Sequence, residues 1–209
     1  MILKVFPLGP AETNTILLAC SRTKRGVVVD PAQGSYEAVH RFLKKEPLTL
    51  ECVLCTHSHW DHIVDASLFK KKDCLPVYVH SEDAGNLQTP GSDGLPLFFP
   101  IEGVAPDGYL EEGGKMDIGD LSLTVIHTPG HSPGAVCFYL GKEKILISGD
   151  TLFQGAIGNL SFPTSRPDLM EASLKRLAAL PKETKVYPGH GEPTTIAKEE
   201  RTLKYTVRE

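Results

Sequence analysis

Residues 56–62, with the sequence Thr-His-Ser-His-Trp-Asp-His, constrain the fold of this chain more than any other segment. They place four potential metal ligands within six residues, directly after an apolar stretch that is typical of a buried strand. In extended chain, His57 and His59 point to the same side and can bind one cation. Asp61 and His62 begin the next predicted helix and point elsewhere, so they can reach a second cation. The segment therefore predicts a metal site at a strand end.

Three further potential ligands also follow predicted strands. His131 lies in a Pro-Gly turn after the strand predicted at 121–126, and Asp150 follows the strand predicted at 144–148. His190 repeats the strand–Pro–Gly–His pattern near the end of the sequence. The glycines let the backbone turn sharply close to a metal, and the prolines fix φ before each histidine. Five histidines and two aspartates in this setting indicate a metal centre rather than scattered surface residues.

The remaining pattern predicts strands in series, separated in places by helices, without the regular alternation of a doubly wound sheet. Ser35 is the expected N-cap of the first helix. The predicted strands are residues 3–6, 15–20, 26–30, 52–56, 77–79, 121–126, 135–140, 144–148 and 185–187. The predicted helices are residues 35–45, 61–72 and 167–180, with a short one from Ser81 and a final one after Thr195.

Composition and charge exclude several classes of protein. Hydrophobic residues make up 41% and charged residues 23% of the chain, as in an ordinary globular protein. The net charge of −4 argues against a nucleic-acid partner, because phosphate binding needs a basic surface. No apolar run approaches the roughly 20 residues of a membrane span, and the start of the chain lacks a secretion signal. We therefore expect a single domain over residues 1–209 and a cytoplasmic location.

Two other features have a structural explanation and a functional one. Cys52 and Cys55 form a C-x-x-C pair, but they lie in a predicted strand, where residues three apart face opposite sides. Core packing is therefore expected rather than a redox or zinc role. Residues 89–107 mix prolines and glycines with apolar side chains, and such a long irregular segment is uncommon in a compact domain. It is either a flap over a pocket or a surface loop held against the core by its phenylalanines.

The ligand pattern resembles that of the metallo-β-lactamase superfamily, whose signature is H-x-H-x-D-H followed by separate His, Asp and His ligands. All seven positions match in order, and the resemblance extends from residue 14 to about residue 195. It implies an α+β fold, the four-layer αββα sandwich, in which two β-sheets pack face to face with helices outside. It also implies that the metals lie at one edge of the sheets.

The resemblance further implies a role for each ligand. His57, His59 and His131 would hold the first metal, Asp61, His62 and His190 would hold the second, and Asp150 would bridge the two. Asp30 matches an early aspartate of the family that orients a ligand histidine. Trp60 is expected either at the pocket rim or in packing. Two divalent metal ions are implied, with zinc expected first and iron or manganese as alternatives.

Within the superfamily, the motifs at 128–134, 148–153 and 187–191 resemble those of small glyoxalase II-type hydrolases, which cleave glutathione thioesters such as S-D-lactoylglutathione. Asp150 stands where true β-lactamases place a cysteine, which counts against antibiotic hydrolysis. Two features depart from the glyoxalase II pattern. Full-length glyoxalase II enzymes carry a C-terminal helical domain that helps to hold glutathione, whereas this sequence ends soon after His190, and Asn159 stands in place of a common arginine. Lys115, Arg166 or another basic residue is the expected substitute for that positive charge.

The implied reaction is hydrolysis of a small-molecule thioester or ester, with Asp61 and Asp150 as the catalytic candidates. A hydroxide held between two cations that share Asp150 is expected to attack the substrate carbonyl. Three alternatives stay open. The first is a lactonase on the same ligands. The second is a persulfide dioxygenase-type oxidoreductase with one iron on His57, His131 and Asp150. The third is a non-catalytic binding module.

Overall fold

The computed structural model describes residues 1–204, and two six-stranded sheets form its centre. The first sheet begins with an antiparallel meander and continues with parallel strands, because helices connect its later members. Its strands, in spatial order, are β1 (Ile2–Leu8), β2 (Thr13–Ala19), β3 (Arg25–Val29), β4 (Thr49–Leu54), β5 (Val77–Val79) and β6 (Gly108–Tyr109).

The second sheet is mostly antiparallel, with one parallel pair between β10 and β11. In spatial order its strands are β7 (Lys115–Ile118), β8 (Leu121–His127), β9 (Val136–Leu140), β10 (Ile145–Gly149), β11 (Lys185–Pro188) and β12 (Thr194–Thr195). Since β8 and β10 both pair antiparallel with β9, and β11 runs parallel to β10, these three strands end at the same edge. This edge of the second sheet carries the candidate site.

Helices cover the outer face of each sheet. Four pack on the first sheet, namely α1 (Ser35–Leu43), α2 (Trp60–Ile63), α3 (Ala66–Lys72) and α4 (Ala84–Gln88), and α5 (Pro167–Ala178) packs on the second. The longest, α5, has 12 residues and begins with a proline at its first position, where no intrahelical N–H is needed. Over residues 1–204, no helix has both the length and the hydropathy that a membrane span requires.

Strand β2 shows how the sequence builds four layers. Ile16 and Leu18 point into the core between the two sheets, whereas Leu17 points to the helices outside. Both faces of β2 are therefore buried, which explains its nearly continuous apolar sequence. On the second sheet, Phe138 faces the inner core and Leu146 faces α5. The predicted α+β fold, a four-layer αββα sandwich, is confirmed.

The cysteines also follow this layering. Cys52 lies in the core between the sheets, and Cys55 lies in the layer between the first sheet and its helices. Burial raises the pKa of Cys52 to about 12, so its thiol stays protonated and unreactive. The five cysteines, all within the described residues, form no disulfide bond. The expectation of core packing for the C-x-x-C pair is confirmed.

Two details of the predicted helices were wrong. The helix predicted at 61–72 is broken at Asp65, because the Asp65 amide donates to the carbonyl of Pro31 at 2.9 Å instead of continuing the helix. Ser35 is the first residue of α1 rather than its N-cap. The cap position belongs to Gly34, at φ 85°, a left-handed conformation that favours glycine.

The final helix predicted after Thr195 was also wrong for the described residues, which form turns and a short 3₁₀ helix, Thr202–Lys204. The buried Glu199 side chain explains the irregular path. It accepts hydrogen bonds from the hydroxyls of Thr194 at 2.7 Å and Thr202 at 2.8 Å. These side-chain hydrogen bonds hold the segment against the second sheet in place of a regular helix.

Candidate metal centre

All seven predicted metal ligands meet at one edge of the sandwich. Three of them follow the strand ends of the second sheet that share this edge, and four follow β4 of the first sheet. The C-terminal ends of β4, β8, β10 and β11 therefore bring together residues that are far apart in the chain. In chain order these are His57, His59, Asp61, His62, His131, Asp150 and His190.

The seven side chains form two groups that share one carboxylate. Within each group the potential ligand atoms lie within 4.8 Å of one another. The first group is His57, His59 and His131, and the second is Asp61, His62 and His190. Asp150 contacts both groups, because its Oδ2 lies 3.4 Å from His131 Nε2 and its Oδ1 lies 3.4 Å from His62 Nε2. This geometry suits two cations with a carboxylate between them.

Unpaired buried nitrogen atoms show that the first group fits a cation. Within residues 1–204, the Nε2 atoms of His57 and His59 are buried and have no hydrogen-bond partner. Leaving such an atom unpaired costs about 1–3 kcal/mol, and a metal ion would satisfy it. Imidazole and carboxylate donors suit zinc, iron and manganese, so the donor set fits two divalent metals without selecting one element.

Burial keeps His57 and His59 of the first group neutral. It is the main reason that the pKa of His57 is well below its usual range, and neighbouring histidines lower it further. Burial, together with His131, lowers the pKa of His59 to about 3. A neutral imidazole is the form that binds a metal. His57 and His59 therefore present free electron pairs at physiological pH.

The second group is dominated by carboxylates. Burial by itself would lower the pKa of His62, but Asp61, Asp150 and Asp30 outweigh it and raise this pKa to about 9. Burial likewise opposes the charge on His190, but Asp150 and Asp61 raise its pKa to about 11. Burial would raise the pKa values of Asp61 and Asp150, but the adjacent histidines keep both below their usual range. The site thus contains two ionised carboxylates that attract cations.

Asp30 orients His62 from behind. Its Oδ2 lies 3.0 Å from His62 Nδ1, and both its oxygens accept hydrogen bonds at 2.7 Å from the amide and hydroxyl of Thr56. The His62 ring is thereby fixed with Nε2 toward the cluster. The predicted contact between Asp30 and a ligand histidine is confirmed.

The start of β2 holds the turn that carries His190. The Asn14 side-chain amide donates to the carbonyls of Pro188 at 3.0 Å and Gly191 at 2.9 Å. His190 Nδ1 donates to the carbonyl of Ala11 at 3.0 Å, which leaves Nε2 as the ligand atom. Thr13 donates its hydroxyl proton to Asp61 Oδ2 at 2.6 Å. The first sheet therefore positions ligands of both sheets.

Asp83 is a buried residue near the site that sequence reasoning missed. Its Oδ2 accepts from the amide of Ser58 at 2.8 Å and the hydroxyl of Ser132 at 3.0 Å, and its Oδ1 accepts from the amide of Gly134 at 2.7 Å. Burial raises its pKa, although these donors oppose the shift. Asp83 ties the loop of His57 and His59 to the loop of His131. No local pattern in the sequence signals these contacts across 25 to 51 residues.

We expect Asp83→Ala to weaken metal binding by about 10- to 100-fold, because the loops that carry the first group lose their common anchor. We also expect a lower melting temperature, since buried amides are left unpaired. Competition with a chromophoric chelator measures the affinity. Glu82→Ala, at the exposed neighbouring position, is the control and should bind metal normally. Unchanged affinity in Asp83→Ala would show that the loops hold their positions without it.

A cavity of about 530 Å³ opens over the site, and five of the seven candidate ligands line it, namely His59, Asp61, His131, Asp150 and His190. Its walls are largely aromatic: Phe162 packs against His59 and His131 at ring-centroid distances of 5.4 and 5.5 Å, and Phe153 lies 6.1 Å from His190. Trp60 also lines the cavity, in agreement with a position at the rim. These rings restrict water around the candidate ligands.

The irregular segment 89–107 contributes to this cavity. It contains no helix or strand within the described residues, and its Leu95 lines the cavity wall. Phe98 is 73% exposed and contacts Trp60 instead of being buried in the core. The structure therefore favours the flap over a loop held against the core by its phenylalanines.

The expected replacement of the missing arginine was wrong. Neither Lys115 nor Arg166 lines the cavity. Lys115 lies on β7, at the far edge of the second sheet, and Arg166 pairs with Asp168 at 2.8 Å. Asn159 does line the cavity, but its backbone carbonyl accepts from His131 Nδ1 at 2.9 Å. This position therefore orients a ligand histidine, and neither a lysine nor another arginine replaces the missing arginine among the cavity-lining residues described.

The fold and the two-group site define a class of protein, the metal-binding αββα sandwich. Residues 8–190 match the metallo-beta-lactamase superfamily, and the chain belongs to that family. It is 34% identical over 197 residues to the probable metallo-hydrolase YqgX of Bacillus subtilis, covering 93% of this chain and 92% of that protein. It is 28% identical over 209 residues to the hydroxyacylglutathione hydrolase GloC of Haemophilus influenzae, covering 97% and 96% respectively.

Solved structures show the same fold over nearly the whole chain. The crystal structure of BLEG-1 B3 metallo-beta-lactamase has a TM-score of 0.87 at 37% identity, covering 96% of this chain and 97% of that one. The structure of TTHA1623 in a di-iron-bound form has a TM-score of 0.80 at 34% identity, covering 97% and 98%. These similarities establish the fold and the family, and the class of enzyme they indicate is a metallo-hydrolase.

Proposed function

We propose that this protein hydrolyses a thioester or ester, in the manner of the glyoxalase II branch, with two divalent metal ions. The observation that carries the proposal is the division of seven donors into two groups that share Asp150. Similarity to GloC supports the thioester class, and the di-iron form of TTHA1623 supports two metals in this fold. S-acylglutathione and similar small molecules are the substrate class.

Each of the two ions would take ligands that follow strands of both sheets. His57, His59 and His131 would hold one ion, Asp61, His62 and His190 would hold the other, and Asp150 would contact both. Two divalent cations bound there would supply a Lewis acid for the substrate carbonyl and a hydroxide nucleophile at neutral pH. Among the chain's residues, Asp61 and Asp150 provide the negative charge that retains the ions, and Asp30 keeps His62 aligned.

The cavity walls would favour the reaction by limiting solvent. Phe153 and Phe162 flank the histidines, so a bound carbonyl would lie among aromatic side chains on one side and the metal ligands on the other. A low-polarity cavity strengthens the interaction between cations and a developing oxyanion. The site needs no serine or cysteine nucleophile, and Ser58 and Ser132 donate to Asp83 instead of facing substrate.

A substrate panel with metal analysis tests this proposal. The purified protein is analysed for zinc, iron and manganese per chain, then assayed with S-D-lactoylglutathione, an uncharged acyl thioester, an acyl-lactone and nitrocefin. We expect about two metal ions per chain and thioester or ester hydrolysis that is lost on chelation and restored by metal. Nitrocefin turnover without thioester turnover would replace the proposal with β-lactam hydrolysis, the activity that the name of BLEG-1 describes.

A mononuclear iron oxidoreductase is the second candidate, because His57 and Asp150 lie within one group of potential ligand atoms and His131 contacts Asp150. Such an enzyme would bind one iron on these three residues and consume oxygen with a persulfide substrate. Metal analysis showing one iron per chain, with oxygen uptake and no hydrolysis of the panel, would favour this function over the hydrolase.

A further inference from the structure

An open apolar groove lies beside the metal cavity. Pro10, Ala11, Trp60, Phe98 and Phe99 form most of its lining. The rings of Phe98 and Phe99 meet Trp60 edge to face, at centroid distances of 5.4 and 5.8 Å. Phe98 is 73% exposed, although a phenylalanine side chain gains about 1.5–3 kcal/mol from full burial. A large exposed aromatic side chain in a groove indicates that the groove binds something apolar.

The groove is continuous with the metal cavity. Ala11 and Trp60 line both. Trp60 also lies between His59 and Asp61 in the sequence, so the groove begins next to ligands of both metal groups. A molecule whose carbonyl is held over the metal ligands can therefore extend past Trp60 along the two phenylalanines.

Among residues 1–204, the path from the cavity to the groove carries neither a lysine nor an arginine. The cavity adds the acidic Glu192. The basic residues Lys198 and Arg201 line a different cavity, which shares only Gln154 with the metal site. The carboxylates of a glutathione conjugate would find no cationic side chain along the groove to offset the free-energy cost of leaving water. An uncharged acyl chain carries no such cost.

We propose that the groove binds the acyl chain of the substrate, and that the preferred substrates are uncharged thioesters or esters of medium-chain acyl groups. This inference rests on the proposed function and names its substrate class. Each methylene placed against Trp60, Phe98 and Phe99 leaves water and contributes to binding. Complete burial of one methylene would raise the binding affinity about four-fold. An open groove gives about half that free energy, which corresponds to about a two-fold gain in affinity per methylene.

A chain-length series on the metal-loaded enzyme tests the proposal. Acetyl, butyryl, hexanoyl and octanoyl thioesters of N-acetylcysteamine are compared with S-D-lactoylglutathione. We expect kcat/KM to rise about two-fold per methylene, or about 60-fold from acetyl to octanoyl, mainly through KM. We expect lactoylglutathione to be a poorer substrate than the octanoyl thioester. A flat series, or a preference for lactoylglutathione that Arg201→Ala abolishes, would overturn the groove proposal while the proposed function stands.

Variants of the groove residues test whether the dependence of kcat/KM on acyl-chain length arises in the groove. Phe98→Ala and Phe99→Ala should each lower the octanoyl-to-acetyl ratio of kcat/KM by about five-fold. Tyr109→Ala is the matched control, because Tyr109 is also an exposed aromatic residue, at 57%, and lies outside the groove. Equal ratios in all three variants would show that the groove does not bind the acyl chain.

A binding measurement tests ligand binding in the groove independently of catalysis. Trp60 is the only tryptophan of the chain, so its fluorescence reports on the groove directly. Titration of the metal-loaded protein with S-octyl-N-acetylcysteamine, a thioether that cannot be hydrolysed, should shift this fluorescence, and Phe98→Ala should raise the Kd about five-fold. If no thioester or ester is hydrolysed but this titration behaves as expected, the proposed reaction fails and the apolar site stands. No shift at millimolar thioether would overturn the apolar site.

Discussion

Asp150→Ala should lose metal ions and turnover together. Asp150 is the one carboxylate that contacts both histidine groups, at 3.4 Å from His131, His62 and His190. Without it the two groups have no shared ligand, and His62 and His190 each lose one of the carboxylates that raise their pKa values. We expect fewer than one tightly bound ion per chain and a fall in kcat of about 10³-fold or more. Metal analysis after gel filtration and single-substrate kinetics measure the two effects.

Asp120→Ala is the matched control, because Asp120 makes an exposed ion pair with Arg22 and belongs to none of the candidate ligand groups. Exposed pairs contribute about 0–1 kcal/mol, so this variant should keep its metal and its activity. Circular dichroism confirms that both variants are folded. Two retained ions and normal turnover in Asp150→Ala would contradict the shared-ligand mechanism.

Gly189→Ala should have an effect nearly as large, although it removes no ligand. A Cβ atom at this position would overlap Oδ1 of Asp150 and lie 2.8 Å from Cε1 of His62. The backbone cannot move aside easily, because the Gly189 amide donates to Gly149 and its carbonyl accepts from Asn14. We expect loss of at least one ion, a fall in kcat of about 100-fold or more, and destabilisation of about 1–3 kcal/mol. Metal analysis and denaturant unfolding measure these effects.

The control for this steric argument is Gly85→Ala, in α4. A Cβ atom there meets nothing within 4 Å, and alanine is the better helix former. This variant should keep both ions and unfold at an equal or higher denaturant concentration. If Gly189→Ala behaved like Gly85→Ala, the shared carboxylate would be able to occupy a different position from the one seen here.

The sequence predicted the candidate ligands well because their signal is local. His57 and His59 are two residues apart after a strand, and His131 and His190 each follow a Pro-Gly pair, so the residue types and backbone settings are visible without coordinates. The four-layer fold came from the resemblance that these residues carry. Helix ends were less predictable, because the break at Asp65 depends on a hydrogen bond to Pro31, which lies 34 residues earlier in the numbering.

The surroundings of the ligands could not be predicted in the same way. Asp83 contacts Ser58 and Gly134 only because two sheets bring three loops together. The described cavity lining contains neither lysine nor arginine, which corrected the expectation for Lys115 and Arg166. Their positions depend on where β7 and the start of α5 lie relative to the site. Such contacts arise from packing between distant segments and leave no periodic pattern in the chain.

By itself, the sequence determined which side chains can bind cations and which of them are neighbours along the backbone, because strand and turn geometry act over a few residues. Only the tertiary structure decided that donors from both sheets meet in two groups around Asp150, and that aromatic side chains and an apolar groove surround them. The physical reason is that strand order and sheet packing set the distances between residues far apart in sequence, and those distances determine what a site can bind.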